Sequence, residues 1–127
     1  MNTADAYAEA MRLSRLIDAA IEAMKNTSVE LAQAEATYRK ARAEAWVLCP
    51  NDLAGVKAGE REWTAARREA WVDADTADLR YKRDLAEGMR QAAIEAVRSR
   101  RAQLSALQTF LNAERAEAEF ARTGTDG

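Results

Sequence analysis

Residues 3–48 read TADAYAEAMRLSRLIDAAIEAMKNTSVELAQAEATYRKARAEAWVL, and residues 49–59 continue CPNDLAGVKAG. In the first stretch Ala6, Ala10, Leu13, Ile17, Ala20, Met24, Thr27, Leu31, Ala34, Tyr38, Ala41, Ala45 and Leu48 recur at steps of three and four. That spacing puts them on one face of a helix, at alternating a and d positions of a heptad. Leu16 and Ile21 widen the stripe in its first half. Thr27 and Glu30 stand at capping-box spacing, so a break near 26–28 would split the arm and give a three-helix arrangement. The register crosses Thr27 without a phase shift, which favours one helix over 3–48. The second stretch gathers Pro50, the only proline, with Asn51, Asp52, Gly55 and Gly59. It is the clear breaker of the chain and predicts a loop over 49–59.

Beyond the loop a second arm is expected over about 60–122, with a frayed tail at 123–127. Trp63, Ala70, Ala74, Ala77, Tyr81 and Leu85 begin its stripe, and Met89, Ala93, Val97, Leu104, Leu107 and Leu111 continue it. Gly88 in its middle implies close packing or a bend, because an interior glycine costs about 1 kcal/mol against alanine. The expected fold is all-α: one domain over 1–127, built as a long antiparallel helical hairpin of coiled-coil type. With arms of about 46 and about 63 residues, the longer one would project roughly 25 Å past the shorter. The projecting part would carry Leu107, Phe110, Leu111 and Phe120 without a partner inside a simple hairpin. An unpaired apolar seam predicts self-association through those four residues, and hence a homo-oligomer.

Composition agrees with long, close-packed helices. About 30 of the 127 residues are alanine, the best helix former, and alanine supplies about half of the 48% hydrophobic fraction. Charged residues make up 31% with a net charge of −2, so the whole chain has no strong pull toward nucleic acid or anionic membrane. Cys49 is the single cysteine, which excludes an internal disulfide. There is no histidine, which excludes a Ser-His or Cys-His nucleophile, an HExxH zinc site and a histidine base. Carboxylates sit beside cations, as Glu35 does with Arg39, Glu62 with Arg61 and Glu114 with Arg115. They read as solvated helix faces with weak pairs. No catalytic, cofactor-binding or metal-binding residue is expected, and the chain is not expected to be an enzyme. The N-terminus lacks a signal-peptide pattern and no run approaches the roughly 18 apolar residues of a membrane span, so a cytoplasmic protein is expected.

Two surfaces beside the projecting seam are candidates for binding. Residues 79–101 carry Arg80, Lys82, Arg83, Arg90, Arg98, Arg100 and Arg101 against Asp84, Glu87 and Glu95. Arg83, Arg90, Arg98, Arg100 and Arg101 are the candidate contacts to nucleic-acid phosphates. The plainer reading is an exposed flank that pairs with acids of the other arm or of a neighbouring chain. Trp46, Trp63 and Trp71 cluster near the loop end of the hairpin. They form either an aromatic plug closing the tip or a partner-binding tip, tryptophan being enriched at interface hot spots.

The runs ATYRKARAEA (36–45), TADLRYKRDLAEGM (76–89) and RSRRAQLSALQT (98–109) resemble small alanine-rich helical proteins of actinobacterial phages and prophages. The likeness covers roughly residues 30–122. It implies a phage accessory role near replication or recombination, in the host cytoplasm, and brings no functional residues with it. The reading favoured on all these grounds is a non-enzymatic accessory protein that self-associates and binds a host or phage protein through exposed helix faces. The alternatives are a nucleic-acid-binding factor using the arginine stretch and a structural or scaffolding component of the virion.

Overall fold

The computed structural model describes residues 2–50 and 64–125. Three helices account for nearly all of them: α1 (Thr3–Leu48), α2 (Ala65–Asp75) and α3 (Ala77–Thr125). The fold is all-α, as the spacing requires. α1 is one unbroken helix of 46 residues, so the capping-box spacing at Thr27 goes unused. It starts where Asn2 caps it: Asn2 Oδ1 accepts from the Asp5 amide at 2.8 Å, and Asp5 places a negative charge in the first turn.

The second arm departs from expectation. It is two helices, parted at Thr76, and the extra break lies here and not at 26–28. Thr76 takes φ −106° and ψ 9°, its amide bonds Val72 O at 3.0 Å, and its hydroxyl donates to the same carbonyl at 2.7 Å. Thr109 and Thr123 make the same hydroxyl bond inside unbroken α3, so it is the backbone of Thr76, away from helical φ and ψ, that parts the two helices. α2 begins at Thr64, whose Oγ1 accepts from the Arg67 amide at 3.2 Å. The loop of 49–59 falls mostly outside the described residues, and so does the expected start of the arm at 60. At the other end α3 runs to Thr125, so part of the expected tail is helical.

Contacts divide the chain into two compact units. The terminal unit, Met1–Asn26 with Gln91–Gly127, pairs the start of α1 with the end of α3. Its buried residues are Ala6, Leu13 and Ile17 on α1 and Val97 on α3. The central unit, Thr27–Arg90, holds the end of α1, all of α2 and the start of α3. Here Tyr38, Ala45, Cys49, Val72 and Thr76 are buried. Antiparallel order within it is visible in the cross-helix contacts of Ser28 with Arg90 and of Tyr38 with Arg83.

The α1 stripe expected from the sequence is buried or half-buried from Ala6 to Ala45, and only Leu48 is exposed. On α3 the sheltered positions include 79, 83, 86, 90, 93, 97, 100, 104, 107, 111 and 114, an uninterrupted alternation of steps of four and three, with 94, 96 and 110 sheltered beside it. Ala93, Val97, Leu104, Leu107 and Leu111 therefore lie where expected. Tyr81, Leu85 and Met89 do not: they are 68%, 52% and 50% exposed. Arginines hold the seam in their place, at 83 and 90. Ala70, Ala74 and Ala77 are exposed as well.

Gly88 meets nothing within 4 Å of where a Cβ would stand, and α3 continues through it without a break. The close packing expected there is absent. Gly88→Ala should accordingly raise stability by about 1 kcal/mol in urea unfolding, since only the helix propensity changes. Leu13, 1% exposed, is one of the two largest fully buried side chains. Its replacement by alanine should cost about 3 kcal/mol in the same measurement.

Candidate functional site

The central unit is closed at its loop end by a small cluster. Ala45 and Cys49 of the first strand of sequence meet Val72 of α2, and Trp46 and Trp71 pack against them. The Arg68 guanidinium lies 5.3 Å from the centre of the Trp46 ring. A cation over an indole face is held by the ring's quadrupole, which orients α2 across α1. Arg68 Nε is buried without a hydrogen-bond partner among the described residues. Two of the three tryptophans thus come together as a plug, and Trp63 lies outside the described residues.

One turn away Arg42 ties the same two helices. Its Nη1 donates to Asp73 Oδ1 at 2.5 Å, and Nη2 stands 3.9 Å from Glu69 Oε1. The hydrogen bond to Asp73 raises the Arg42 pKa above its ordinary value, against the opposing effect of burial. Arg42 is therefore a fixed positive charge, and its partners on α2 are set one turn apart to receive it.

The five candidate phosphate-binding arginines do not share a face. Arg83 is half-buried, its guanidinium 4.7 Å from the Tyr38 ring centre, while Nε and Nη2 donate to Asp84 Oδ1 at 3.1 and 2.8 Å. Its pKa is raised, chiefly by that bond to Asp84. Arg90 Nε donates to Ser28 Oγ at 3.1 Å across the helix pair. Arg83 and Arg90 therefore serve the α1–α3 seam, their aliphatic stems covering it and their charged ends finding polar or aromatic partners. In the terminal unit Arg98 is exposed and bonded to Glu95 at 3.2 Å, Arg100 is half-buried at a seam position, and Arg101 is exposed.

The projecting seam is also different from the expectation. In the terminal unit Thr3 and Tyr7 of α1 line one hollow with Leu111, Glu114, Arg115 and Ala118 of α3, so α1 reaches the part of α3 expected to project. Leu107, Phe110 and Leu111 are half-buried, and Leu111 lines a cavity of about 340 Å³ together with Tyr7, Gln108, Asn112 and Arg115. Only Phe120 of the four stands out, at 79% exposed.

What the sequence reading missed is the outer side of the helices. In the central unit Tyr81, Leu85 and Met89, at steps of four, form an apolar face on α3 turned away from Arg83 and Arg90. On α1, Val29, Val47 and Leu48 are 58%, 84% and 74% exposed. A cleft is lined, among the described residues, by Ala43, Glu44, Val47 and Leu48. The signal was present as apolar residues beyond those one seam can hold, and alanine between them obscured it.

Among the described residues no group of His, Cys, Asp and Glu side chains could hold a metal ion, and no helix is long and apolar enough to cross a membrane. No protein-family model matches the chain, and no curated protein or solved structure does either.

The Arg42–Asp73 bond can be weighed directly. A double-mutant cycle with Arg42→Met and Asp73→Asn should give a coupling of about 1 kcal/mol, near the upper end for a partly exposed pair. Thermal unfolding of the four proteins measures it, and a coupling near zero would mean that the Val72 cluster and the Arg68–Trp46 contact hold α2 without it.

Proposed function

We propose that this chain is a non-enzymatic phage accessory protein that self-associates and docks on a host or phage protein through the outward faces of its helices. One observation carries the reading: in the central unit both long helices expose large apolar side chains outside the seam they bury, and Leu48 leaves the end of the α1 stripe open. Tyr81, Leu85 and Met89 on α3 and Val29, Val47 and Leu48 on α1 are each at least half exposed. Full burial of one such side chain is worth about 1.5–3 kcal/mol. Several on one face make a favourable docking energy after the cost of association. Anchors at i, i+4 and i+8 are the pattern by which a helix seats in the groove of a partner.

Support from the inner face points the same way. Nine described residues are buried, and among them Leu13 and Val72 are the largest that are fully so. So thin a core gives a long helix pair little reserve of its own. The phage setting rests on the resemblance of residues 36–45, 76–89 and 98–109. The nucleic-acid reading loses ground because Arg83 and Arg90 are engaged across the helix pair.

Light scattering coupled to gel filtration tests the reading across a hundredfold range of concentration. The expected result is a mass above the 14.1 kDa of one chain. Val47→Asp combined with Leu85→Asp should return it to one chain while the helical circular-dichroism signal is kept. Substitution at Leu107 and Leu111 would not serve, because both are sheltered along α3. A wild-type protein that stays at 14.1 kDa throughout would refute self-association.

A further inference from the structure

The geometry points to the outward face of α1 over residues 36–47 as the seat of a second copy of this chain, in an antiparallel two-fold pairing. This rests on the self-association proposed above and adds its surface and register. Ala36, Lys40, Ala43 and Val47 follow one another at steps of four, three and four, so they share one face. That face is on the far side of α1 from the buried Tyr38 and Ala45, and all four residues are exposed. Ala36 and Ala43 let a second helix axis approach closely. Val47 is 84% exposed, more than any other large hydrophobic residue described, and with Ala43, Glu44 and Leu48 it walls a hollow of about 380 Å³. A neighbouring helix would fill that hollow with a side chain.

Charge sets the orientation. Lys40 and Glu44 are exposed, one turn apart along the same edge of the face, and among the described residues neither forms an ion pair. When two copies of a helix face pack antiparallel about a two-fold axis, each edge meets the same edge of the other copy. With the axis near residue 42, Lys40 comes beside the partner's Glu44 and Glu44 beside the partner's Lys40. The same register lays Val47 against the partner's Ala36 on both sides of the axis, a large residue against a small one. A parallel pairing in register would instead bring Lys40 toward the partner's Arg39, like charge against like. Opposite charges on one edge, four residues apart, thus form two ion pairs in a single symmetric operation.

Charge exchange tests it in the full-length chain. Lys40→Glu and Glu44→Lys, each alone, turn two attractions into two repulsions and should weaken the dimer about tenfold in sedimentation equilibrium. The double exchange restores both pairs with their signs reversed and should return the constant to within about twofold of wild type. Ala43→Cys in a Cys49→Ala background should give a disulfide-linked dimer under mild oxidation, since residue 43 lies beside the axis. Circular dichroism on every variant checks that the helices persist. An associated protein whose constant ignores both single exchanges, or whose double exchange fails to restore it, overturns this surface and leaves self-association standing. Oxidation that links no chains in an associated protein does the same, and directs attention to Tyr81, Leu85 and Met89. A monomeric wild type overturns both.

Discussion

The seam between α1 and α3 depends on two arginines standing where a two-helix packing ordinarily places apolar residues. Arg83 and Arg90 fall on the uninterrupted alternation of steps from 79 to 114 along α3. An arginine in such a position is tolerable only if its guanidinium is satisfied on the spot. Tyr38 supplies a ring face to Arg83 and Ser28 a hydroxyl to Arg90. Tyr38 and Ser28 themselves are on the sheltered face of α1, so each arginine holds a particular register of one helix against the other. Leucine at 83 and 90 would pack in several registers almost equally well. The charged side chains choose one.

α2 is governed by a second set of local constraints in the same unit. Thr76 buries its hydroxyl on the Val72 carbonyl, and its backbone separates an eleven-residue helix from α3. Arg42 then binds α2 at Asp73, and Arg68 returns from α2 to the Trp46 ring. These two contacts cross in opposite directions, α1 to α2 and α2 to α1, on either side of the Ala45, Cys49 and Val72 cluster. With so little apolar volume in that cluster, the polar contacts decide how the helix sits. The apolar contacts decide only that it sits.

Helix content was legible because α1 announces itself: its stripe keeps phase for over forty residues and its ends are an Asn cap and a proline. The phase of α3 was not legible between 77 and 90. There Tyr81, Leu85 and Met89 present the stronger apolar repeat, and pattern matching places the stronger repeat inside. The residues that are inside include two arginines, whose value depends on Tyr38 and Ser28 some fifty residues away. No local reading of α3 contains that information. The break at Thr76 was hidden too, since Thr109 and Thr123 bond the carbonyl four residues earlier in the same way and α3 runs on through both. The unpaired seam is not where arm lengths counted from the loop place it, because the pairing register of the two arms depends on contacts such as Tyr38 with Arg83 that no length contains. In the terminal unit the start of α1 reaches Leu111 through Thr3 and Tyr7, so Leu107 and Leu111 find shelter there, and the exposed apolar surface lies elsewhere.

Two apolar faces on one helix have a consequence for stability as well as for binding. A helix pair that buries few large side chains gains little over the entropy of ordering more than a hundred residues. Each large residue left outside contributes nothing to the isolated chain and contributes fully when another surface covers it. Folding and association are then linked: whatever binds the outward faces shifts the folding equilibrium in proportion to the logarithm of its concentration. Alanine on those faces is part of the same economy of space. It costs the isolated helix nothing in propensity, and it leaves room for a second helix to come close enough for Val47 to be buried.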